Sequence, residues 1–414
     1  MISVDHALNK VINSVDILDD EDCAILNSIG QVLAEDIRAD INVPQHDNSA
    51  MDGYALQSVD TRGASMQNVK LIRVIETVPA GYIAQNEVTP GTAIRIMTGA
   101  PMPKGADCIV KFEATDEFLR EKPITEIGIL GELKPGMNVR RAGEDIPKDS
   151  IALIKGTEIR PSEVGILASL GYSKVKVIRR PRIAILATGD EVTDINKPLL
   201  PGKIYNSNTY SLAALIKTYG AIPIILGISK DNEDSLIKKL RHGMDADILL
   251  TIGGINSGDY DLVKDVLAKQ GDIQFCSVRM KPGKSLSFGT IEGINKAGLN
   301  RIVSHFGLPG NPVSCMVACE LFVRPAVLKM MGKKDLFKST IEAEIEDSKV
   351  NNGKVRTFAR AKVNKKNGQY SAKLTSHQKS GMLISMSLAN GLAIIPEDAK
   401  EVKAGDKVRV MMLD

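Results

Sequence analysis

The stretch that decides the fold is Ile183-Ala184-Ile185-Leu186-Ala187-Thr188-Gly189-Asp190-Glu191. Its apolar run has the length and composition of a short buried strand. The run ends in a glycine turn that carries two adjacent carboxylates. Ligands of α/β sheets bind beyond the carboxyl ends of the strands. The loop Thr188–Glu191 is therefore the first candidate for a binding site.

Around this stretch, residues 177–330 alternate between strand and helix patterns. The strand patterns are 183–187, 222–227, 248–252, 273–278 and 302–308, and the helical patterns are 210–219, 233–241, 262–268 and 313–323. Strands that alternate with helices favour right-handed βαβ units and a parallel sheet. We therefore predict a central parallel-sheet α/β domain over residues 177–330.

The flanking regions have other textures. Residues 1–40 show apolar positions at helix spacing, with a second helical stretch over 21–37, and helix texture returns at Pro161. Together with 141–176 they form a predicted N-terminal linker domain, into which a β-rich domain is inserted over 41–140. A C-terminal β-barrel-like domain is predicted over 335–414, with a hairpin at Asn367-Gly368.

Composition narrows the class of protein. A chain of 414 residues is too long to fold around one hydrophobic core, so we predict two to four domains. Aromatic residues make up only 4% and Trp is absent, which argues against nucleic-acid binding by base stacking. A formal net charge of +3 indicates no polyanionic partner. Five scattered cysteines favour a reducing compartment, and no signal or membrane segment is apparent, so we expect a cytoplasmic protein.

Four loops of the predicted α/β domain carry residues suited to chemistry. They are Thr188–Glu191, Gly253–Asp261, Lys281–Lys284 and Leu308–Ser314. Glycine lets the backbone approach a phosphate, lysine neutralises it, and the helix that Asn311 and Pro312 would open adds positive partial charge. Carboxylates beside a phosphate site usually hold Mg²⁺. The combination predicts a phosphorylated small molecule and a divalent cation.

Each of these loops, taken alone, is more often a simple turn or a helix start. Four of them in one predicted sheet domain make coincidence much less probable. Two further clusters, residues 44–55 and 140–146, are equally typical of turns held by Asx hydrogen bonds. The sequence contains no nucleophile elbow, HExxH motif or P-loop.

Seven motifs in order resemble one known family over nearly the whole chain. They are Asp47–Ala55, Arg95–Pro101, Gly105–Asp107, Arg141–Ile146, Thr188–Glu191, Lys281–Lys284 and Gly307–Ser314. The chain thus resembles the molybdopterin molybdenumtransferases, a group that includes the E domain of gephyrin.

The resemblance implies an elongated four-domain homodimer that inserts molybdenum from molybdate into adenylylated molybdopterin. Mg²⁺ assists the loss of AMP, and the site lies in a cleft between the α/β domain of one subunit and other domains of its partner. It also implies contact with the upstream adenylyltransferase and with downstream molybdoenzymes. No nucleic acid or membrane is involved. The dithiolene sulfurs of the substrate attack molybdenum, so the chain need supply no nucleophile.

Candidate site residues follow from the loops and from this resemblance. The candidate catalytic residues are Glu191, Asp231, Asp261, Asp52, Asp145, Thr98 and Lys281. Of these, the candidate metal ligands are Glu191, Asp231 and Asp261. The candidate substrate-binding residues are Gly189, Asp190, Gly253, Gly254, Asn256, Ser257, Gly258, Asp259, Lys284, Pro309, Gly310, Asn311, Pro312, Ser314, Arg360 and Ser380.

The chain departs from the family pattern at three points. Asn256 replaces a hydroxyl residue, Ser285 replaces a proline, and Ser277 replaces a lysine found in some members. Three rival functions follow: tungsten insertion into the same pterin, a non-catalytic pterin-binding scaffold, and the related adenylyltransferase. The N-terminal motifs at Asp52 and Asp145 argue against the adenylyltransferase, and the intact acidic set argues against the scaffold.

Overall fold

The computed structural model describes residues 1–230, 232–253, 271–351 and 354–413. The chain divides into two compact units. Unit one comprises Met1–Cys23, Gly30–Ala34 and Lys176–Asp414, and unit two comprises Ala24–Ile29 and Glu35–Val175. The finer division into four domains stays a prediction.

The regular elements of the described chain are numbered in chain order. The helices are α1 (Val4–Asn13), α2 (Pro161–Ser169), α3 (Ser207–Thr218), α4 (Glu233–Gly243), α5 (Pro312–Ala318), α6 (Arg324–Met330) and α7 (Ile384–Ser387). Short 3₁₀ turns span Ser58–Thr61, Phe112–Ala114 and Glu117–Leu119, and a π-helical segment, Cys319–Val323, joins α5 to α6. Among these helices, none is long and apolar enough to span a membrane.

The strands up to residue 178 are β1 (Asp20–Ala24), β2 (Ile37–Arg38), β3 (Asn48–Ser49), β4 (Gly53–Leu56), β5 (Lys70–Val78), β6 (Thr92–Ile96), β7 (Cys108–Lys111), β8 (Glu126–Ile129), β9 (Val139–Arg140), β10 (Ile151–Leu153) and β11 (Lys174–Ile178). The later strands are β12 (Arg182–Thr188), β13 (Val192–Thr193), β14 (Ile204–Tyr205), β15 (Ile222–Ser229), β16 (Ile248–Ile252), β17 (Gly271–Phe275), β18 (Met280–Lys281), β19 (Ser287–Ile294), β20 (Asn300–Leu308), β21 (Thr340–Ile345), β22 (Lys349–Val350), β23 (Arg356–Lys366), β24 (Gln369–Leu374), β25 (Gly391–Ile395), β26 (Glu401–Val402) and β27 (Lys407–Met412).

The central sheet of unit one has the strand order β15-β12-β16-β20-β19-β17. The first four strands are parallel, as predicted. The last two pairings, β20 with β19 and β19 with β17, are antiparallel, so the sheet is mixed. The sequence analysis did not predict β19, and the strand predicted over 273–278 ends at Phe275. The link between β19 and β20 is too short for a parallel crossover, which explains the reversal.

Side chains on alternate positions of β12 pack on opposite faces of this sheet. Ile183 and Ile185 lie in a buried cluster with Leu212 and Ile216 of α3. Ala184 and Leu186 lie in a second cluster with residues of α4. Helices therefore cover both faces, as expected for a doubly wound α/β domain. The helix predicted over 262–268 lies outside the described residues.

The C-terminal part of unit one is a closed barrel, which confirms the barrel-like prediction. Its sheet runs β18-β23-β24-β21-β27-β25, and β23 also pairs with β25 to close the ring. The predicted hairpin is present, because Lys366 pairs with Gln369 across Asn367 and Gly368, which both have positive φ.

Near the N-terminus, the prediction of a first helix is confirmed and that of a second is wrong. In α1 the side-chain oxygen of Ser3 accepts a hydrogen bond from the backbone of His6, and the apolar face is buried. The helix expected over 21–37 is instead the strand β1 followed by turns. Gly30 has φ +78°, which no α-helix contains, and buried Gln31 donates to the carbonyl of Ile178 at 3.0 Å.

Unit two contains the five-stranded sheet β7-β4-β6-β5-β8. Its strands all lie within the β-rich region predicted over 41–140. Two buried clusters lie on its two faces, and one of them contains Tyr54 and Leu56. Helix α2 begins at Pro161, as predicted.

Candidate functional site

The carboxyl ends of the four parallel strands meet at one edge of the central sheet. Thr188 lies in register with Ser229, and Ile252 lies in register with Leu308. The Thr188 hydroxyl donates to the Ile252 carbonyl at 3.0 Å, and the Gly253 N–H donates to the Leu308 carbonyl at 3.0 Å. The first, second and fourth predicted loops therefore start side by side.

Two glycines at this edge have a positive φ, a backbone conformation that L side chains rarely adopt. Gly253 has φ +86°, and an added Cβ would lie 3.2 Å from both the carbonyl and the hydroxyl oxygen of Thr188. At Gly189, where φ is +128°, an added Cβ would lie 2.4 Å from a carboxylate oxygen of Glu191. The Glu191 carboxylate therefore folds back over a position that only glycine leaves open.

A cavity of about 830 Å³ lies where these loops meet the barrel, entirely within unit one. Nine predicted residues line it: Glu191, Lys281, Lys284, Pro309, Gly310, Asn311, Ser314, Arg360 and Ser380. We call this cavity the cationic pocket, because its lining includes five lysine or arginine side chains and one carboxylate: Lys281, Lys284, Lys349, Arg360, Lys379 and Glu191.

Arg360 lies in β23 and is only 2% exposed. Its Nε donates to the Ser385 hydroxyl at 3.1 Å, and its Nη2 donates to the carbonyls of His377 and Lys379 at 3.0 and 3.2 Å. Burial lowers the pKa of the guanidinium, and no carboxylate of the described chain offsets this effect. A buried cation without a counter-ion is costly unless a ligand compensates it.

Backbone pairing joins the loop Lys281–Lys284 to the barrel. Strand β18 pairs in parallel with β23, so that Lys281 lies opposite Thr357. Arg360 follows three residues later on β23. Lys281 and Lys284 are both exposed. Lys281 and Arg360 are therefore held on two paired strands rather than on separate flexible loops.

Helix α5 begins at the predicted position. Asn311 occupies the N-cap position and Pro312 the first helical one. The Asn311 side chain makes no capping hydrogen bond, which leaves its amide available to the pocket. The N–H of Val313 donates to the Ser380 carbonyl at 3.1 Å, and the amide of Asn208 donates to the Gly310 carbonyl at 2.7 Å. These bonds connect the helix start to the barrel and to α3.

The Glu191 side chain is exposed to solvent. Its carboxylate makes no hydrogen bond or ion pair with any described residue. The other predicted metal ligands, Asp231 and Asp261, lie outside the described residues, as do Gly254, Asn256, Ser257, Gly258 and Asp259. Within the part of the chain that is described, no group of three or more acidic, histidine or cysteine side chains is arranged to hold a metal. The metal site stays a prediction.

In unit two, Asp52 and Thr98 are in direct contact. One carboxylate oxygen of Asp52 accepts hydrogen bonds from the backbone N–H and the hydroxyl of Thr98 at 2.7 and 2.9 Å. These two bonds lower the pKa of Asp52. Both residues are exposed. The bonds hold the free carboxylate oxygen in a defined direction.

The two polar clusters of unit two also come together. Asp47 accepts a hydrogen bond from Arg141 at 2.6 Å and one from the Ala142 N–H at 2.8 Å. Asp145 lines a cavity of about 490 Å³ together with Pro44, Asn48 and Arg140. Unit two therefore presents Asp52, Thr98 and Asp145 on its own surface, and unit one contains the cationic pocket.

Family comparisons agree with this arrangement. Three family models match the chain in order: MoeA N-terminal region (domain I and II) over residues 2–171, probable molybdopterin binding domain over 184–329, and MoeA C-terminal region (domain IV) over 344–413. Over its whole length the chain is 34% identical to the molybdopterin molybdenumtransferase of Bacillus subtilis (strain 168), of which the match covers 94%. The chain belongs to the molybdopterin molybdenumtransferase family.

Other members of the molybdopterin molybdenumtransferase family match almost as completely. The chain is 36% identical to molybdopterin molybdenumtransferase 2 of Mycobacterium tuberculosis, with 92% of each chain covered. A crystal structure of the molybdopterin biosynthesis moeA protein from Pyrococcus horikoshii superimposes with a TM-score of 0.81 at 29% identity, with 100% of this chain and 99% of that chain covered. The resemblance seen in the motifs is thereby confirmed.

The sequence analysis of this molybdenumtransferase family member missed four polar or charged residues that line the pocket. They are Lys349, Thr357, Gln378 and Lys379. Lys349 lies in an ordinary polar stretch, and only the β22–β26 pairing and the contact of Asn351 with Thr357 bring it to the pocket that Lys281 and Arg360 line. Gln378 bonds the backbone of Arg360, a contact that no local motif announces.

Proposed function

We propose that the chain inserts molybdenum from molybdate into adenylylated molybdopterin, with Mg²⁺-assisted release of AMP. The observation that carries this proposal is Arg360, a buried guanidinium without a carboxylate partner in the described chain, in a pocket whose lining is mostly cationic. Family membership supplies the class of reaction, and the pocket chemistry supports an anionic metal substrate.

Arg360 is suited to bind an oxyanion. Its Nε and Nη2 are held by protein acceptors, and its Nη1 makes no hydrogen bond with the described chain. Nη1 is therefore the donor available to a ligand in the pocket, and charge-assisted bonds of this kind are the strong ones. Lys281 and the Ser380 region border the same space. Molybdate, a small dianion, would be neutralised there.

The edge of the central sheet is suited to the pterin nucleotide. Gly253 and Gly310 leave its backbone open to close approach, and Lys284 and Asn311 offer a cation and an amide donor on the same side. A pyrophosphate bound here would lie beside the oxyanion. Insertion forms two molybdenum–sulfur bonds as oxygen ligands leave, and hydrolysis of the pyrophosphate releases AMP. The chain binds and orients both substrates and provides no nucleophile.

The Glu191 carboxylate fits a role as a Mg²⁺ ligand. It is an oxygen donor that no described residue engages, and Gly189 keeps the space around it clear. We propose that Glu191, Asp231 and Asp261 would hold the ion together. Bound there, Mg²⁺ would offset the charge that develops on the departing phosphate.

Asp52, Thr98 and Asp145 belong to this proposal as residues that a partner subunit contributes to the cleft of a homodimer. Their exposure on unit two supports that role. Contact with the enzyme that makes the adenylylated pterin, transfer to molybdoenzymes and a cytoplasmic location are parts of the same proposal.

Incubation of the purified protein with adenylylated molybdopterin and Mg²⁺ tests the function. AMP release and metal incorporation are followed with molybdate, with tungstate and without oxyanion. We expect AMP release that depends on molybdate, with molybdenum bound to the pterin. AMP release only with tungstate would favour tungsten insertion. Absence of release with either oxyanion would overturn the enzyme proposal and favour a pterin-binding scaffold.

A further inference from the structure

We propose that Lys349 is an oxyanion-binding residue that, together with Arg360, sets the affinity for molybdate. This inference rests on the proposed function and assigns part of the substrate affinity to a residue outside all seven sequence motifs. Lys349 lies in β22, is half-buried and lines the cationic pocket.

The position of Lys349 is fixed by its neighbours. Strand β22 pairs with β26, with Lys349 opposite Val402. Two residues later, buried Asn351 donates through its side-chain amide to the carbonyls of Val355 and Pro396, both at 3.0 Å. The Asn351 side-chain oxygen accepts a hydrogen bond from the Thr357 hydroxyl at 3.1 Å.

Thr357 is the residue that lies opposite Lys281 in the β18–β23 pairing. The segment that carries Lys349 is therefore bonded to β23, the strand that carries Arg360 and pairs with the strand of Lys281. Lys349 therefore lines the pocket from a segment that backbone pairing and the Asn351 side chain hold in place.

The charges around Lys349 point to an anion. Lys349 forms no ion pair with any described residue. The charged groups that act on it electrostatically are Lys281 and Arg360. Burial and these two cations all lower the pKa of Lys349. Three cations held together on rigid backbone repel one another, and a bound dianion would turn that repulsion into attraction.

The oxyanion is the better match than the pterin phosphates. Lys349 and Arg360 lie on β22 and β23, whose segments are joined by the hydrogen bond between Asn351 and Thr357, whereas the open glycine loops lie at the edge of the central sheet. Removal of Lys349 should therefore weaken molybdate binding and leave the binding of the pterin nucleotide unchanged.

Three variants test this assignment. Lys349→Met removes the charge, Lys349→Arg keeps it, and Lys362→Met removes an exposed charge from β23 outside the pocket lining. Titration calorimetry with molybdate alone measures affinity, and AMP release measures kcat and both KM values. For Lys349→Met we expect affinity for molybdate to fall about tenfold, equivalent to about 1.4 kcal/mol. Its KM for molybdate should rise to match, while kcat and the KM for the pterin nucleotide stay within about twofold.

The affinity of Lys349→Arg for molybdate should stay within about threefold of that of the parent protein. The affinity of Lys362→Met should equal that of the parent protein. If Lys349→Met behaved like Lys362→Met, or raised the KM for the pterin nucleotide instead, the inference would be wrong while the proposed function stood. Absence of AMP release from the parent protein would be a failure of the function itself. Should Lys349→Met not fold, Lys349→Gln takes its place with the same expected values.

Discussion

Gln378 and Arg360 form a reciprocal pair of hydrogen bonds between a side-chain amide and the backbone. The N–H of Arg360 donates to Oε1 of Gln378 at 3.1 Å, and Nε2 of Gln378 donates to the Arg360 carbonyl at 2.9 Å. The β23–β24 pairing stops at Ala361, opposite Leu374. The Thr375 N–H also donates to the Arg360 carbonyl at 2.9 Å, and Gln378 supplies the acceptor for the Arg360 N–H, at the position where the pocket requires Arg360.

We predict that Gln378→Leu disturbs both stability and oxyanion binding. The substitution leaves the N–H of Arg360 unpaired, while the Arg360 carbonyl keeps the Thr375 N–H as its donor, and an unpaired buried N–H costs about 1–3 kcal/mol. The free energy of unfolding, measured by urea denaturation, should fall by that amount. The KM for molybdate should rise severalfold, because the backbone that positions the Arg360 guanidinium is no longer held by Gln378. Gln369→Leu, at an exposed position of β24, is the control and should change neither quantity.

Glu191→Gln should lower turnover far more than stability. The carboxylate is exposed and has no partner among the described residues, so its removal should change the free energy of unfolding by less than about 0.5 kcal/mol. Loss of a metal ligand in the transition state should lower kcat about 100-fold or more. The measurements are AMP release over a Mg²⁺ titration and thermal unfolding. Glu344→Gln, on the exposed side of β21, is the control. A Glu191→Gln protein that unfolds readily but keeps its activity per folded molecule would contradict this role.

Thr98→Val should raise the pKa of Asp52. The variant removes the hydroxyl donor to the Asp52 carboxylate and keeps the backbone N–H donor, so only part of the lowering should be lost. Carboxyl-carbon NMR as a function of pH measures this pKa directly. Thr98→Ser, which retains the hydroxyl, should give the value of the parent protein. An unchanged pKa of Asp52 in Thr98→Val would mean that the hydrogen bond from the Thr98 hydroxyl does not lower this pKa in solution.

His305 should make the protein less stable as the pH falls below neutrality. Burial lowers the pKa of His305 to about 3, while the unfolded chain binds the proton at its ordinary pKa near 6.5. Between these two values only the unfolded state is protonated at this site. The free energy of unfolding therefore declines by up to about 1.4 kcal/mol per pH unit as the pH falls from 6.5 toward 3.

His305→Gln keeps an amide beside the Thr251 hydroxyl, which lies 2.9 Å from Nε2, and should flatten this slope. His242→Gln, at an exposed position of α4, should leave the slope unchanged. Urea denaturation at several pH values between 7 and 4 provides the comparison. Equal slopes in the parent protein and His305→Gln would show that the pKa of His305 is the same in the folded and unfolded states, which would contradict the prediction.

The sequence predicted those parts of the fold that local pattern determines. The apolar runs at 183–187 and 248–252 identified buried parallel strands, and the glycines at 189 and 253 marked the loops where the backbone adopts a positive φ. The run over 21–37 had helical spacing, but Gly30 and the buried contacts of Gln31 impose turns. Tertiary contacts of this kind override periodicity.

Within the pocket, the motifs gave Lys281, Lys284 and Asn311, and only the family resemblance gave Arg360 and Ser380. Lys349 and Gln378 were not predicted, because the β22–β26 pairing and side-chain bonds to the backbone of β23 join residues distant in sequence. A strand such as β19 was missed for the same reason. Its direction follows from a short connection to β20 rather than from its own residues.

The most direct measurement is the location of molybdenum in crystals of the protein soaked in molybdate, by anomalous scattering at the molybdenum edge. We predict a peak in the cationic pocket, within hydrogen-bond reach of the Arg360 guanidinium and beside Lys281 and Lys349. The peak should be lost in Arg360→Met crystals. A peak that lies only outside this pocket, or that persists there without the guanidinium, would contradict the assignment of Arg360 as the oxyanion-binding centre.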